Sequence, residues 1–496
     1  MRLPPLPLLP AALVSVVCLA CAAAPPPEPA SPEAPVPAAV AAVAPTAAPG
    51  SEQARAPAEL APIEFLHDDL PGAMARAREQ GKALFIDAWA PWCHTCLSMQ
   101  HYVLDDVSLR PLADRVVFVA LDTDRPENAA FVERYRMSVW PTFFVVDPQS
   151  GEVMGLWSGA ASVAEMRALV EDGARAVADR AGSKLPADHP DRMLAEARRA
   201  QAGGDPAAAA AAYGRALAAG GPGFARRSEA LIGRLAALHA AKDLAGCARF
   251  GREHMGEVKG AALPADFASV LLACARGLPE GAAAERRGAE EAAIARLGAL
   301  TREPPPGSTP DDRADALGIL ASALKDKGDA AGARAAQEAR IGVLEAAARD
   351  AKTPEMAATH DYARAMTYLD LGRGEEAVKM LAEREKQLPS LYEPPARLAY
   401  VLHAMGREAE ALAAVDRALA RSYGPRRSRY LGLKADIQGK LGDVRGQAAT
   451  LREELSSYEA LPPALRREEQ IAQAKRRLGE AEKAEKAEKA LGGKRR

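Results

Sequence analysis

The chain has 496 residues, which is more than a single hydrophobic core usually organises, so more than one domain is expected. Its net charge of −2 gives no reason to expect nucleic-acid binding. Only 5% of the residues are aromatic, which suits helices packed through alanine. The six cysteines fall into three pairs: two near the N-terminus, two in a Cys-x-x-Cys motif, and Cys247 with Cys274.

Residues 1–24 are predicted to be an export signal, because a short apolar segment punctuated by prolines follows Met1-Arg2. The end of this segment, Leu19-Ala20-Cys21, resembles a bacterial lipobox, which would make Cys21 a lipidated N-terminus and a lipid anchor. Ordinary cleavage near Ala24 is the alternative. Residues 25–62 are almost entirely Ala and Pro and predict a disordered, extended tether. We therefore expect an exported protein of the periplasm or cell envelope.

Residues 63–180 contain strand and helix patterns in alternation. The mixed order predicts a sheet with helices on both faces. The predicted elements, in chain order, are helix Gly72–Gln80, strand Ala83–Ala88, a helix from Cys96 to about Gln100, strand Val116–Leu121, helix Asn128–Tyr135, strands Thr142–Val146 and Glu152–Trp157, and helix Val163–Ala178.

The motif Trp89-Ala90-Pro91-Trp92-Cys93-His94-Thr95-Cys96 closes the first of these strands. Cys93 is thereby predicted at a helix N-terminus, where the helix dipole and free N–H groups favour a thiolate. Cys96, one turn later, is placed to resolve a mixed disulfide. We expect Cys93 to be the exposed attacking thiol and Cys96 the buried one, so the motif predicts a redox-active disulfide.

The stretch from Phe85 to Cys96 is similar to the active-site segment of thioredoxins, and Trp140-Pro141-Thr142 resembles their cis-proline loop. The flanks, Gln80-Gly81-Lys82 and Val103-Leu104-Asp105-Asp106, resemble the C-terminal domain of the membrane reductase DsbD. The resemblance implies a thioredoxin fold, thiol–disulfide oxidoreductase activity on protein disulfides, and no cofactor. It also implies that Pro141 is cis and leaves the backbone of residue 140 free to pair with substrate.

Four further residues are assigned roles in this site. Asp87 interrupts an apolar strand, so its carboxyl group should be buried, with a raised pKa suited to accepting the proton of Cys96. Trp92, Trp140 and His94 are assigned to substrate binding. One position departs from the resemblance: where thioredoxins usually carry a lysine near the buried aspartate, this chain has Ala120.

A Cys-x-x-Cys pair is also a common half of a zinc site, but zinc needs four ligands. No second Cys or His pair at the spacing of metal ligands lies near the motif. His94 and His101 alone would be an unusual pair of ligands to complete a zinc site with the two cysteines. We therefore predict no metal site, and we keep copper handling as an alternative.

Residues 188–470 lose the strand patterns and predict Ala-rich helices separated by Gly or Gly-Asp breaks. A shift of 34 residues relates Gly372 to Gly406, with matching positions at Ala365, Tyr368, Ala377 and Leu381 and at Ala399, Leu402, Ala411 and Val415. This period resembles tetratricopeptide repeats and implies an all-α solenoid that binds a protein partner; an irregular Ala-rich bundle is the alternative. Residues 471–496 show no apolar face and predict a solvated charged tail.

Cys247 and Cys274 are interpreted first as buried small residues, with a disulfide as the alternative. A helical hairpin with its loop near residues 259–261 would bring the two cysteines level with each other. The whole sequence predicts an envelope thiol–disulfide oxidoreductase with a helical-repeat module for partner binding. The alternative is a scaffold whose binding work lies in the repeats and whose thioredoxin-like domain is regulatory or serves copper handling.

Overall fold

The structure, a computed structural model, describes residues 61–135, 137, 139–179, 186 and 188–492. The predicted export signal, the lipidation site Cys21 and residues 25–60 of the predicted tether lie outside the described residues. None of the helices in the described ranges is long and apolar enough to cross a membrane.

The N-terminal domain is built on one mixed sheet of five strands in the order β1-β3-β2-β4-β5. Strands β1 and β2 run parallel to β3, whereas β4 is antiparallel to β2 and to β5. The central strand β2 is buried along almost its whole length, so the motif that follows it starts from the middle of the sheet. The strands are β1 Phe65–His67, β2 Ala83–Trp89, β3 Val116–Asp122, β4 Thr142–Val146 and β5 Val153–Ser158.

Helices cover both faces of this sheet, as predicted. Phe85 and Val145 belong to the core shared with α4 and the segment after α2, while Ile86 and Phe144 pack with α1 and α3. A capping box between Ser162 and Glu165 fixes the start of α4. The helices are α1 Leu70–Gln80, α2 His94–Ser98, α3 Ala129–Arg134 and α4 Val163–Ala178, and α2 continues as a π-helical segment, Met99–Leu104.

The rest of the described chain is helical, and each helix packs mainly on its neighbours in sequence. The connections are short, which makes successive helices antiparallel hairpins. The helices are α5 Pro190–Ala202, α6 Pro206–Gly220, α7 Arg227–Ala240, α8 Leu244–His254, α9 Leu263–Gly277, α10 Ala283–Arg302, α11 Pro310–Asp326, α12 Ala330–Asp350, α13 Pro354–Ala358, α14 Asp361–Asp370, α15 Gly374–Gln387, α16 Glu393–Ala404, α17 Glu408–Leu419, α18 Gly424–Lys440, α19 Val444–Ala460 and α20 Glu468–Gly492.

The 34-residue period is confirmed in the hairpins α14–α15 and α16–α17. Gly372 and Gly406 both turn the chain with φ of 74°, a left-handed conformation that glycine adopts without strain. The matched positions are buried in both hairpins, namely Ala365, Tyr368, Ala377 and Leu381 in the first and Ala399, Leu402, Ala411 and Val415 in the second. The alanines among these positions let the paired helices approach closely, and the larger side chains fill the core that the two hairpins share.

The predicted solvated tail is wrong for the residues of α20. Ile471, Ala474 and Ala481 are buried, and α20 packs on α19. These residues follow each other at helical spacing and form a narrow apolar stripe, which the Ala-Glu-Lys composition hid because alanine counts for little in a hydrophobic pattern. The helical region therefore extends to residue 492.

The helical region contacts the N-terminal domain at several separate places. Helix α5 packs on β5, α11 touches α2, and the short turn Pro463–Leu465 packs on α3. These contacts come from the beginning, the middle and the end of the helical region. The helices therefore wrap around the domain, and the end of the sheet that carries the Cys-x-x-Cys motif faces them.

Candidate redox site

Cys93 and Cys96 form a disulfide at the start of α2, with their Cα atoms 5.2 Å apart. Cys93 is the N-cap residue of α2, and its Sγ accepts a hydrogen bond of 3.0 Å from the backbone N–H of Cys96. Because α2 continues directly into the π-helical segment, this N–H belongs to a longer run of helical backbone. The predicted position of Cys93 at a helix N-terminus is therefore confirmed.

The expected exposure of Cys93 is wrong. Cys93 is only 5% exposed and Cys96 only 1%. The two cysteines form an apolar cluster with Ala90, and the rings of Trp92 and Trp140, whose centroids lie 5.6 Å from each other, pack against it. Both sulfurs are therefore shielded from bulk solvent by aromatic side chains, and helices of the repeat region lie over those side chains in turn.

Asp87 is buried as predicted, with 1% of its surface exposed. Its Oδ2 accepts a hydrogen bond of 3.3 Å from Gln100 Nε2, whereas its Oδ1 has no hydrogen-bond partner among the described residues. Burial raises the pKa of Asp87 to about 7. Ala120 is its partner on β3, so no lysine stands opposite the carboxyl group. Gln100 lies one helical turn after Cys96, which brings Asp87 to the same side of the helix as Cys96.

The loop after β3 anchors both tryptophans. The peptide bond between Trp140 and Pro141 is cis, as the resemblance implied. The Trp140 indole donates a hydrogen bond of 2.8 Å to Thr123 Oγ1, and the Trp92 indole donates one of 2.8 Å to Asp124 Oδ2. The polar edges of both rings are therefore satisfied, and their apolar faces remain for the disulfide.

Helix α11 of the helical region supplies a carboxylate to the residue that follows Cys93. His94 Nδ1 lies 3.1 Å and 3.2 Å from the two carboxylate oxygens of Asp311. The Tyr362 ring stacks on the imidazole with a distance of 5.9 Å between the ring centroids. A carboxylate oxygen of Asp315 lies within 4.8 Å of a ring nitrogen of His94 and of a carboxylate oxygen of Asp311. Burial alone would lower the pKa of His94, but Asp311 and Asp315 raise it to about 9. His94 is therefore an imidazolium at neutral pH, paired across the two domains.

Helix α18 covers the other side of the site. The Arg426 guanidinium lies 3.7 Å from the centre of the Trp92 ring and 3.6 Å from Asp124. The hydroxyl of Tyr423, just before α18, donates a hydrogen bond to Asp122. Burial raises the pKa of Asp122 to about 6, while the bond from Tyr423 acts in the opposite direction. The two flanks together explain why the disulfide is buried.

No signal near the motif points to these contacts, because the covering residues lie 200 or more positions from the motif in Ala-rich helices. The assigned site residues Cys93, Cys96, Trp92 and Trp140 lie together, Pro141 follows Trp140 through the cis peptide bond, and Asp87 lies on β2. His94 instead contacts Asp311, so its predicted role in substrate binding is not what its described contacts favour. The segment Tyr423-Gly424-Pro425-Arg426 was the one available signal, since it interrupts the repeat pattern with a tyrosine and an arginine.

Cys247 and Cys274 form a second disulfide, with their Cα atoms 6.1 Å apart. Both are fully buried, in α8 and α9. The first interpretation, unbonded buried residues, is therefore wrong. The hairpin argument was right, since the loop between His254 and Leu263 is centred near residue 259 and leaves the cysteines level on facing helices.

A family model described as thioredoxin-like matches residues 65–148. Over 90 residues, 18% of this chain, the sequence is 31% identical to the thiol:disulfide interchange protein DsbD of Pseudoalteromonas atlantica, of which it covers 15%. Over 96 residues, 19% of this chain, it is 29% identical to protein disulfide-isomerase 1 of Dictyostelium discoideum, of which it covers 26%. The chain thus spans about a quarter or less of the length of these relatives.

Two solved tetratricopeptide repeat proteins resemble this chain in structure. The protein from Parabacteroides merdae has a TM-score of 0.37 and 12% identity, covering 59% of this chain and 98% of that one. The C-terminal part of a repeat protein from Cytophaga hutchinsonii has a TM-score of 0.30 and 14% identity, covering 54% of this chain and 96% of that one. The hairpins and the 34-residue period described above are what make the helical region tetratricopeptide-like.

Proposed function

Starting from the thioredoxin-like domain at residues 65–148, we propose that this protein is a thiol–disulfide oxidoreductase that acts on protein disulfides. The observation that carries the proposal is the Cys93–Cys96 disulfide at a helix N-terminus, together with the buried carboxyl group of Asp87, which accepts a hydrogen bond from Gln100 one helical turn after Cys96. A pKa of about 7 suits Asp87 to proton transfer near neutral pH.

In the reducing direction, the thiolate of Cys93 attacks one sulfur of a substrate disulfide. A mixed disulfide forms, and the other substrate sulfur leaves as a thiolate. Cys96 then gives its proton to Asp87 and attacks the sulfur of Cys93. The bond between Cys93 and the substrate breaks, so the substrate leaves as a dithiol and the Cys93–Cys96 disulfide is restored. An external protein dithiol must reduce that disulfide before the next cycle, and the same steps in reverse oxidise a substrate.

The helical region takes part in substrate or partner binding on this proposal. Asp311 and Tyr362 lie on one side of the motif, and Tyr423 and Arg426 lie on the other. Any polypeptide that reaches Cys93 must therefore contact or displace these helices. This supports a role for the repeats in admitting and orienting the protein that exchanges disulfides.

We also propose that the protein works in the cell envelope, after export through residues 1–24 and anchoring by lipid at Cys21. The buried Cys247–Cys274 pair supports this, because structural disulfides persist in oxidising compartments. Fractionation of cells tests the location, and Cys21→Ala should release the protein from membranes. Recovery of full-length, uncleaved protein in the cytosol would contradict the proposal.

The alternative is a scaffold whose dithiol is regulatory or handles copper. Copper(I) favours clusters of soft thiolate and thioether ligands, whereas the described neighbours of the two cysteines are aromatic rings. The aromatic environment of the two cysteines therefore favours disulfide exchange over copper handling.

Turnover decides between these functions. Reduction of insulin disulfides by the full chain, with dithiothreitol as electron source, should fall to the uncatalysed rate in Cys93→Ser. The double variant Cys247→Ser/Cys274→Ser is the matched control and should keep its turnover, since those cysteines lie in another part of the fold. If Cys93→Ser matched the unsubstituted protein, the scaffold would be the better interpretation.

A further inference from the structure

The contact between His94 and Asp311 joins two parts of the chain that are 217 residues apart. Both carboxylate oxygens lie within hydrogen-bonding distance of the same ring nitrogen, and Asp311 is only 1% exposed. The pair is therefore shielded from the water and salt that make most surface ion pairs weak. Its geometry fixes the ring of the residue directly after Cys93.

Asp311 is held firmly in this position. It lies in the first turn of α11, where the helix dipole favours a negative charge. A capping box formed by Thr309 and Asp312 fixes that turn, and Thr309 Oγ1 lies 3.5 Å from Ser98 Oγ at the end of α2. The start of α11 is therefore docked on the helix that begins at the dithiol.

The charged and titratable groups facing His94 come from two helices and from the turn before a third. Asp311 and Asp315 are on α11 and favour the imidazolium; Arg340 on α12 opposes it, and so does His360, which precedes α14. Burial works to raise the pKa of Asp311, but the neighbouring imidazolium holds it below its ordinary value. Asp311 is the largest contribution that raises the pKa of His94, so its loss would lower that pKa.

We propose that Asp311 is a positioning residue for the dithiol: it fixes the imidazole of His94 beside Cys93, so that the helical region sets the reduction potential of the Cys93–Cys96 disulfide. This inference rests on the proposed redox function. It assigns to the repeats a task beyond partner binding, because an oxidoreductase domain freed from them would have a different potential.

The direction of the effect follows from the charges. Reduction takes two electrons and, with His94 protonated, one proton, giving a Cys93 thiolate and a Cys96 thiol. A positive charge on the adjacent residue stabilises that thiolate, so the disulfide becomes easier to reduce. Asp311→Asn removes one negative charge and lowers the pKa of His94, so the imidazole carries less positive charge. The positive charge is the one next to Cys93, so the variant disulfide should be harder to reduce.

The test is equilibration of the full chain with glutathione redox buffers, followed by alkylation and mass spectrometry of the peptide that carries Cys93 and Cys96. We expect Asp311→Asn to shift the equilibrium constant toward the disulfide at least tenfold, or about 30 mV. His94→Gln should give a similar shift, and the double variant should shift no further. Asp326→Asn, at the far end of α11, is the matched control and should leave the constant unchanged.

An Asp311→Asn shift of the same size in the His94→Gln background would overturn the proposal, because Asp311 would then act without His94. No shift in either single variant would also overturn it. Should Asp311→Asn fail to fold, His94→Gln tests the contact from its other side. The equilibrium is measurable without turnover, so loss of insulin reduction with the shift present rejects the proposed function alone. Turnover without the shift rejects this inference alone.

Discussion

Replacing Asp87 by asparagine tests whether the carboxyl group under the disulfide is neutral when the protein is folded. Burial raises the pKa of Asp87 from 3.8 to about 7. In the unfolded chain the group ionises near its ordinary value, so between these two pKa values the folded state binds the extra proton. The stability of the unsubstituted protein should therefore fall as pH rises through this window.

The size of the effect follows from the difference between the pKa values of Asp87 in the unfolded and the folded protein. Each pH unit between 3.8 and about 7 removes roughly 1.4 kcal/mol, so Asp87 destabilises the oxidised protein by about 4 kcal/mol above pH 7 relative to pH 4. Asparagine has nearly the same shape and can still accept the bond from Gln100. The amide nitrogen of the asparagine would take the place of Oδ1, which has no hydrogen-bond partner among the described residues. An unpaired buried amide lowers the free energy of unfolding by about 1–3 kcal/mol, and this loss does not depend on pH.

The assay is urea unfolding of the oxidised chain, followed by tryptophan fluorescence at several pH values. All four tryptophans, Trp89, Trp92, Trp140 and Trp157, lie in the thioredoxin-like domain, so the signal reports on that domain and on the contact of Arg426 with Trp92. The stability of Asp87→Asn relative to the unsubstituted protein should rise steadily from pH 4 to 7 and stay constant above it. A difference that is the same at every pH would show that Asp87 ionises normally and that it is not poised to accept the proton of Cys96.

Three further results are expected. Cys96→Ser should accumulate mixed disulfides with substrate through Cys93, visible as reductant-sensitive adducts on gels, whereas Cys93→Ser should trap few; equal trapping would mean that the two thiols have been assigned the wrong roles. Arg426→Ala removes a guanidinium that lies 3.7 Å from the centre of the Trp92 ring, a contact worth about 1–2 kcal/mol. The variant should therefore speed alkylation of the reduced Cys93 by iodoacetamide about 5- to 30-fold. An unchanged rate would show that Arg426 does not hold α18 over the site. Replacing Cys247 and Cys274 together by alanine opens a loop with a separation of 27 residues and should lower the free energy of unfolding of the helical region by about 3–4 kcal/mol, measured by urea unfolding with far-UV circular dichroism; a loss below about 1 kcal/mol would argue that the bond is dispensable.

Much of the thioredoxin-like domain could be predicted because its signals are local. The strand Thr142–Val146 and the helix Val163–Ala178 have the predicted bounds, since a proline or a capping serine marks where each begins. Strand β1 was missed because three residues are too few to show an alternating pattern. The helix after Cys93 runs further than predicted, because a π-helical segment carries it to Leu104.

The environment of the site could not be predicted, because it depends on contacts across the chain. Asp87 lies within a buried strand, so the apolar residues next to it in the sequence were enough to predict that its carboxyl group is buried. Burial of Cys93 depends on helices 200 or more residues later, and nothing near the motif encodes their approach. Asp311 looks in sequence like an ordinary acidic residue in the first turn of a helix, and only its position against His94 gives it a candidate role.

The wrapping of the helices around the dithiol has a consequence for the order in which the protein is made. The motif is synthesised early, whereas its partners follow late: Asp311 comes 217 residues after His94, and Tyr423 comes 301 residues after Asp122. At about 5–20 residues per second, the ribosome needs roughly 15–60 s to reach Tyr423. The thioredoxin-like domain can form first from its own contacts, and it then offers a finished surface on which the later helices assemble. During that interval the dithiol is uncovered, so a newborn chain passes through a stage in which its cysteines are open to any thiol or disulfide nearby.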